Sequence, residues 1–230
     1  MLRAEDIHTY YGSSYILQGI SIEVGKGEVI GILGRNGMGK TTLIRSLIGF
    51  TPPRHGRVIF RDLEITHKRA FEIARLGISV VPQGRQIFPS LNLVENLTVG
   101  YKGSHIDWTL EMIFELFPPL KQRAYHPGNQ LSGGEQQMLA IGRSLMTNPS
   151  FLLMDEPTEG LSPIFVQTVG EVIRKLQQKD IAILLVEQNL RFALKYSDHI
   201  LILNQGIIVH SSSPKDLDQN NEIKSRYLGV

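Results

Sequence analysis

The chain has 230 residues, 42% of them apolar, and its formal net charge is +2 at pH 7. This length and composition allow a sizeable buried core in one or two subdomains, and the small net charge argues against a nucleic-acid-binding surface. The absence of cysteine excludes a disulfide framework and thiol chemistry, and it is compatible with a reducing cytoplasm.

The sequence predicts neither a membrane span nor a signal peptide. No apolar run approaches the ~20 residues that are needed to cross a bilayer. Residues 1–12 (MLRAEDIHTYYG) lack the apolar region of a signal peptide. We therefore expect a soluble or peripheral protein, whose part in any membrane process depends on a partner.

In chain order, the predicted elements alternate between strand and helix, which indicates a layered α/β fold. The sequence first predicts strand-like residues 1–24 with a turn at 11–14, a strand at 28–33, a helix at 41–48, and strands at 56–60 and 78–81. Helical spacing follows at residues 92–99, 107–117 and 135–146. The sheet then resumes with a strand at 151–154, a helix at 163–178, a strand at 181–186, a helix at 190–196 and a hairpin at 199–203 and 207–210.

This order divides the chain into a core and an insertion. We predict that residues 1–84 and 148–230 form one core and that residues 85–147 form a helical subdomain within it. The last stretch, residues 211–230, is polar and weakly helical, and the sequence assigns it no role.

One segment predicts a phosphate-binding loop. Residues 34–41 match the pattern G-x-x-x-x-G-K-[ST], between a predicted strand and a predicted helix. The loop glycines allow backbone N–H groups to face phosphate oxygens, and the helix start adds the positive end of its dipole. We expect Lys40 to contact the β- and γ-phosphates and the Thr41 hydroxyl to hold Mg²⁺. The full predicted nucleotide-binding set here is Gly34, Arg35, Asn36, Gly37, Met38, Gly39, Lys40, Thr41 and Thr42.

Two carboxylates follow the apolar run of residues 151–154. Asp155 is predicted to hold Mg²⁺, and Glu156 to polarise the attacking water as a general base. Taken alone, such a pair would be read as a solvated turn. A phosphate loop in the same sheet favours the catalytic interpretation, because ligands bind at the carboxyl ends of parallel strands.

A second glycine-containing turn lies at residues 131–136. Ser132 is a plausible helix N-cap, and Gly133, Gly134 and Glu135 begin a helix whose exposed N–H groups could bind an anion. One triphosphate does not need two full binding loops in one chain. We therefore predict that this turn contacts a nucleotide held by another subunit; an ordinary capped helix is the alternative.

Two further residues are candidates for the nucleotide site because of their positions in the chain. Gln83 follows the strand at 78–81, where its neutral amide could sense Mg²⁺ or the attacking water; a hydrogen-bonded loop residue is the alternative. Tyr11 lies in the first turn and could stack on adenine, or be an ordinary core or surface tyrosine. The seven histidines are scattered without metal-ligand spacing.

These motifs, in this order, resemble those of the nucleotide-binding subunits of ABC transporters, and the resemblance covers nearly the whole chain. Tyr11 resembles the adenine-stacking aromatic, residues 34–41 the Walker A loop, and Gln83 the Q-loop glutamine. Residues 131–136 resemble the signature, and Asp155 and Glu156 resemble Walker B with its catalytic glutamate. The resemblance implies a P-loop (RecA-like) NTPase fold with a mostly parallel core, an N-terminal antiparallel β-subdomain and an inserted helical subdomain.

The same resemblance implies partners and a location. Two ATPs would lie between the Walker A loop of one subunit and the signature of the other, in a head-to-tail dimer with a second copy or a paralogue. Gln83 and the helical subdomain would meet coupling helices of integral-membrane permease subunits, and a solute-binding protein would act indirectly. We expect the chain to be peripheral, on the cytoplasmic face of the inner membrane, and to have no nucleic-acid partner.

Finer features narrow the subfamily. Residues 34–39, 81–89 and 156–163 resemble the shorter of the two ATPase subunits of branched-chain amino acid importers. The ATPase subunits of urea and short-amide importers are very similar in these segments, and none of these residues recognises leucine by its chemistry.

A soluble ABC ATPase of DNA repair or translation is disfavoured, because the chain has neither a second cassette nor a long coiled-coil insertion. The presence of Glu156 argues against a protein that closes on ATP without hydrolysing it. A subunit of an exporter stays an alternative.

The chain departs from the general ABC pattern at two positions. Gln188 stands where most members have a histidine; it could hydrogen-bond the γ-phosphate but carries no proton charge. Ser162 stands where the D-loop usually has aspartate. Our hypothesis is an asymmetric heterodimer with a paralogous ATPase that carries the histidine, with Gln188 in a catalytic role.

Overall fold

The computed structural model describes residues 1–101 and 108–229. In chain order, its strands are β1 Leu2–Tyr11, β2 Ser14–Val24, β3 Val29–Leu33, β4 His55–Phe60, β5 Leu63–Glu64, β6 Ile78–Val81, β7 Phe151–Asp155, β8 Ala182–Glu187, β9 His199–Asn204 and β10 Ile207–Ser212. The helices are α1 Lys40–Leu47, α2 Ala70–Arg75, α3 Leu93–Thr98, α4 Leu110–Leu116, α5 Pro118–Gln122, α6 Gly133–Leu145, α7 Pro163–Gln178, α8 Leu190–Tyr196, α9 Pro214–Gln219 and α10 Asn221–Ile223. A 3₁₀ turn lies at Gly128–Gln130 and a π-helical turn at Lys224–Leu228.

The strands form two sheets. A four-stranded antiparallel sheet has the order β2-β1-β4-β5, and a six-stranded sheet has the order β10-β9-β3-β8-β7-β6. In the second sheet every pairing is parallel except that of β10 with β9. The predicted fold class, a mostly parallel core with an N-terminal antiparallel subdomain, is confirmed.

The sheet order places the predicted motifs at one edge. Strands β3, β8, β7 and β6 are consecutive neighbours in the parallel part of the sheet, so their carboxyl ends lie side by side. The phosphate loop follows β3, the two carboxylates end or follow β7, Gln188 follows β8, and Gln83 follows β6. Four segments that are distant in sequence therefore converge at this edge.

Two apolar cores hold the sheet between layers. Strand β7 is fully buried and alternates its side chains, so Leu153 packs into the core with α1 and the antiparallel sheet. Leu152 and Met154 face the other core, which contains the apolar sides of α6 and α7. A continuous apolar strand is what a parallel sheet covered on both faces requires.

Helices α3 to α6 lie between β6 and β7, in the segment predicted to be the helical subdomain. The division at residues 84/85 and 147/148 stays a prediction. Helix α6 begins two residues before the predicted start at 135, because Ser132 caps it. Of the predicted helix at 107–117, Asp107 lies outside the described residues, as does Val230 in the predicted tail. The short elements β5, α2 and α5 were not predicted.

The antiparallel sheet and the tail complete the molecule. The tail contains α9 and α10, and Leu217 of α9 packs in a small third core with Leu33 and Ile202. Among the helices of the described residues, none is long and apolar enough to cross a membrane.

Candidate functional site

The phosphate loop has the backbone that its glycines predict. Gly37 and Gly39 have φ angles of 79° and 104°, in the left-handed region that side chains disfavour. A Cβ atom on Gly34 would lie 2.4 Å from the carbonyl oxygen of Leu203, so only glycine fits there. Gly39 occupies the N-cap position of α1, and this helix start therefore points its free N–H groups toward the loop.

The side chain of Lys40 is held by the loop itself. Its Nζ donates to the carbonyl oxygens of Gly34 at 2.7 Å and Arg35 at 3.0 Å. The same atom lies 3.1 Å from Oε1 of Glu156, and both of these charged side chains are 5% exposed. The loop thus carries a buried, compensated positive charge.

Glu156 is where the four converging segments meet. Its backbone has a φ of 50°, and its N–H donates to the carbonyl of Val186, which fixes the turn after β7 against β8. Its Oε2 accepts from Nε2 of Gln188 at 2.6 Å and from Nε2 of Gln83 at 3.3 Å. The structure therefore brings three predicted residues, Lys40, Gln83 and Gln188, onto one carboxylate.

Asp155 is buried and only partly bonded. Burial raises the pKa of this carboxyl to about 6, although a hydrogen bond with Thr41 acts in the opposite direction. Its Oδ1 has no hydrogen-bond partner among the described residues. Thr41, Gln83 and Asp155 also line one cavity of about 500 Å³. An unpartnered buried carboxylate oxygen beside a hydroxyl and an amide fits a hard divalent cation such as Mg²⁺.

The turn at residues 131–136 forms a separate, self-contained cluster. The Ser132 hydroxyl accepts from the N–H of Glu135 at 3.3 Å, and Oε2 of Glu135 accepts from the N–H of Ser132 at 2.7 Å, which completes a capping box. Arg123 lies 3.4 Å from Oε1 of Glu135. Gly134 packs on the ring of Phe165, where a Cβ atom would lie 2.3 Å from ring carbons. The contacts described for this turn do not include a phosphate-loop residue.

The remaining predicted residues lie around the phosphate loop. Arg35, Asn36 and Gly37 are exposed, Met38 and Gly39 are half-buried, and Thr42 is buried; Gly133, beside the capping box, is half-buried. Met38 accepts from the N–H of Gly206 at 3.0 Å, so the β9–β10 turn supports the loop. Tyr11, at the end of β1, has 42% of its surface exposed, and Arg45 lies 6.0 Å from its ring centroid.

Glu187 was missed by the sequence interpretation, although it bonds both the loop after β7 and the loop after β8. It is 2% exposed, and burial raises the pKa of its carboxyl above the ordinary value, against hydrogen bonds from Thr158 and from the N–H groups of Asn189 and Gln188. The available signal was a charged residue at the end of an otherwise apolar strand.

A phosphate loop and an acidic strand end at one edge of the sheet, with a capped glycine-containing turn at the start of α6, define a P-loop nucleoside triphosphatase. A family model described as ABC transporter matches residues 17–159. This is more than half of the chain, and the chain belongs to that family, as the sequence resemblance predicted. It is an ATP-hydrolysing subunit of this class.

The chain is similar in sequence to ATP-binding proteins of transport systems over nearly their full lengths. The chain is 40% identical to the high-affinity branched-chain amino acid transport ATP-binding protein BraG of Pseudomonas aeruginosa, over 100% of both chains. It is 30% identical to the lipopolysaccharide export system ATP-binding protein LptB of Escherichia coli, over 99% of this chain and 97% of LptB.

Solved structures show the same fold. A nucleotide-free ATP-binding cassette from an ABC transporter superposes with a TM-score of 0.85 at 31% identity, over 97% of this chain and 96% of that one. A dimeric ATP-binding cassette in a post-hydrolysis state, bound to ADP and Pi, superposes with a TM-score of 0.81 at 25% identity, over 93% and 99%.

Proposed function

We propose that this chain hydrolyses ATP to energise an importer of branched-chain amino acids. The observation that carries the ATPase part is the convergence of Lys40, Gln83 and Gln188 on the carboxylate of Glu156. The solute is supported by the 40% identity with BraG over its full length. ATPase subunits do not contact the solute, so this support comes from the relative and not from a binding pocket.

Nucleotide binding exchanges the partners of Lys40. Its Nζ now contacts two loop carbonyls and Glu156, and the triphosphate oxygens are stronger acceptors at the same place. The backbone N–H groups of residues 34–39 and the start of α1 bind the β- and γ-phosphates. This exchange releases the Glu156 carboxylate to receive a proton from water.

Hydrolysis needs a base that stays oriented. The water oxygen attacks the γ-phosphorus, its proton passes to Glu156, and the bond to the β–γ bridging oxygen breaks, which yields ADP and phosphate. Gln83 and Gln188 both donate to Oε2 of Glu156, so they fix the orientation of its carboxylate without competing for the proton.

Mg²⁺ fits the residues at the carboxyl end of β7. Thr41, Asp155 and Gln83 would hold it, the hydroxyl and carboxylate as oxygen ligands and Asp155 in part through water. The unpartnered Oδ1 of Asp155 supports this assignment. When bound, the ion neutralises charge that develops on the β- and γ-phosphates.

The second half of the nucleotide site comes from another ATPase subunit, either a second copy or a paralogue. Ser132, Gly133, Gly134 and Glu135 present a capped helix start that the chain's own phosphate-loop cluster does not use. The dimeric relative bound to ADP and Pi supports this pairing. Tyr11, which is half-exposed, stacks on the adenine of the nucleotide that is held by the phosphate loop of its own subunit.

Permease subunits dock beside Gln83. The cavity that contains Thr41 and Asp155 is also lined by apolar and basic side chains: Ile44, Arg45, Ile48, Phe50, Val80, Pro82 and Arg143. Phe50 is 66% exposed and Phe71, which lines a second cavity with it, is 47% exposed, so two aromatic side chains face solvent here. A membrane subunit that covers this surface places the chain at the cytoplasmic face of the inner membrane and connects its motion to Gln83.

The test is uptake of radiolabelled leucine and urea by source cells whose only copy carries Lys40→Ala, with the exposed Lys215→Ala as control. Loss of leucine uptake alone supports the proposed solute. Loss of urea uptake alone selects a urea or short-amide importer. If both are unchanged, the importer assignment is wrong, and the similarity to LptB makes an exporter the next candidate.

A further inference from the structure

The buried carboxylate of Glu187 joins two catalytic loops. Its Oε1 accepts from the N–H of Thr158 at 3.1 Å and from the hydroxyl of Thr158 at 2.8 Å. Its Oε2 accepts from the N–H groups of Gln188 and Asn189, each at 3.2 Å. These donors come from the loop after β7 and the loop after β8.

A buried carboxylate is costly unless hydrogen bonds compensate it. With the side chain 2% exposed, Glu187 depends on these four bonds, and they in turn fix the two loops against each other. An apolar residue at this position would continue the strand and bury as well, but would leave the same N–H groups without an acceptor.

The two loops that Glu187 joins carry the side chains of the proposed reaction. Thr158 is two residues from Glu156, and Gln188 is the next residue in the chain. The side chain of Gln188 donates from its Nε2 to Oε2 of Glu156 at 2.6 Å. Glu187 therefore anchors the backbone of Gln188, whose side chain contacts Glu156.

We propose that Glu187 is a positioning residue for ATP hydrolysis, which holds Gln188 against Glu156 through the Thr158 loop. This inference rests on the proposed roles of Glu156 and Gln188. It gives the neutral Gln188 a fixed orientation toward Glu156 without a charge on its own side chain.

The substitution Glu187→Gln tests this directly. In either orientation of the amide, its NH₂ group faces backbone N–H donors, since both carboxylate oxygens accept from the backbone. For the purified full chain we expect kcat to fall about tenfold, the effect of losing one charge-assisted hydrogen bond, with KM for ATP within about twofold. The matched control is Glu28→Gln, whose carboxylate also accepts a backbone N–H, from Gly25 at 2.6 Å, just before β3 begins.

A double-mutant cycle separates positioning from general stability. If Glu187 acts through Gln188, the variant Glu187→Gln/Gln188→Ala has about the same kcat as Gln188→Ala alone. If the two losses multiply, if kcat is unchanged, or if KM rises in step with a fall in the melting temperature, the proposal is wrong. If Glu187→Gln does not fold, Thr158→Val replaces it in the same cycle, and the same results support or overturn the proposal.

One further variant distinguishes this inference from the proposed function. Glu156→Gln should be inactive. If it hydrolyses ATP at the full rate, the part of the proposed function that makes Glu156 the base fails, and the positioning role fails with it. If it is inactive while the effects of Glu187 and Gln188 multiply, only the positioning role is wrong.

Discussion

Two polar clusters of the molecule are stabilised in different ways: the phosphate-loop cluster of Lys40, Gln83, Glu156 and Gln188, and the signature turn of residues 131–136. Around Lys40 the charges are buried and compensated by residues from four separate strand ends. At Ser132 the polar atoms are satisfied by Glu135, three residues away. The first cluster is built by the tertiary fold, and the second is built by one helix start.

This difference indicates what each cluster can do alone. The phosphate-loop cluster has the ammonium of Lys40, the carboxylate of Glu156 and the unpartnered Oδ1 of Asp155 within one subunit. The signature turn has a capped helix start and no acid, base or metal ligand of its own beyond the capping glutamate. In the proposed function, the first cluster therefore binds the triphosphate within one subunit, and the second contacts a nucleotide that another subunit holds.

The largest effect should come from Lys40→Ala, which removes the buried cation of the first cluster. We expect ATP turnover to fall below detection, because the loop loses its side-chain charge toward the β- and γ-phosphates. A malachite-green phosphate assay on the purified chain measures this, with the exposed Lys215→Ala as control. Normal hydrolysis by Lys40→Ala would contradict the phosphate-loop assignment.

Glu156→Gln should separate binding from turnover. The amide keeps the shape but cannot accept the proton of water, so we expect a loss of at least about a hundredfold in kcat with ATP still bound. ATP should then hold two chains together through the signature turn, which light scattering detects as an ATP-dependent dimer. The exposed Glu171→Gln should behave like the unsubstituted chain. Undiminished turnover would show that the base lies elsewhere.

Asp155→Asn should raise the stability of the nucleotide-free chain. Without nucleotide, Asp155 is a buried carboxylate whose pKa of about 6 shows that its charged form is disfavoured. At pH 8 the neutral amide removes that cost, so we expect about 1–2 kcal/mol of added stability and a melting temperature about 2–8 °C higher. The exposed Asp218→Asn serves as control. A lower melting temperature for Asp155→Asn would mean that the carboxylate is well compensated.

Ser132→Ala should have the smallest effect on the isolated chain. Loss of the cap costs about 0.5–2 kcal/mol of unfolding free energy, measured by urea denaturation. Ser213→Ala is a matched control, because Ser213 caps α9 through the N–H of Asp216 at 3.2 Å. Both should lose similar stability, but only Ser132→Ala should weaken the ATP-dependent dimer. Equal dimerisation by the two variants would count against the signature role.

Local signals were enough to predict much of the fold. The strands and helices with clear periodicity, such as β6 and α7, lie where the sequence places them. The phosphate loop was recognisable because its glycines are required by backbone conformation and by contact with Leu203. Short elements such as α2 were not predicted, since six residues give too little periodicity.

Contacts between distant segments were harder to predict. The sequence placed Gln83, Glu156 and Gln188 at strand ends, but it did not predict that both glutamines contact the carboxylate of Glu156. That contact depends on the order of the strands and on the turn at Glu156, where φ is 50°. Glu187 was overlooked for the same reason, since its partner Thr158 lies on the neighbouring strand's loop. Burial and pairing of charged groups are tertiary properties.

The most direct test of the shared site uses the absence of cysteine from the chain. Asn36→Cys and Ser132→Cys are introduced into separate chains that also carry Glu156→Gln, and the two are mixed and oxidised with and without ATP. The account predicts a covalent dimer that forms only in the mixture and only with ATP. A cross-link within one chain that carries both cysteines, or a cross-linked dimer that forms equally well without ATP, would contradict it.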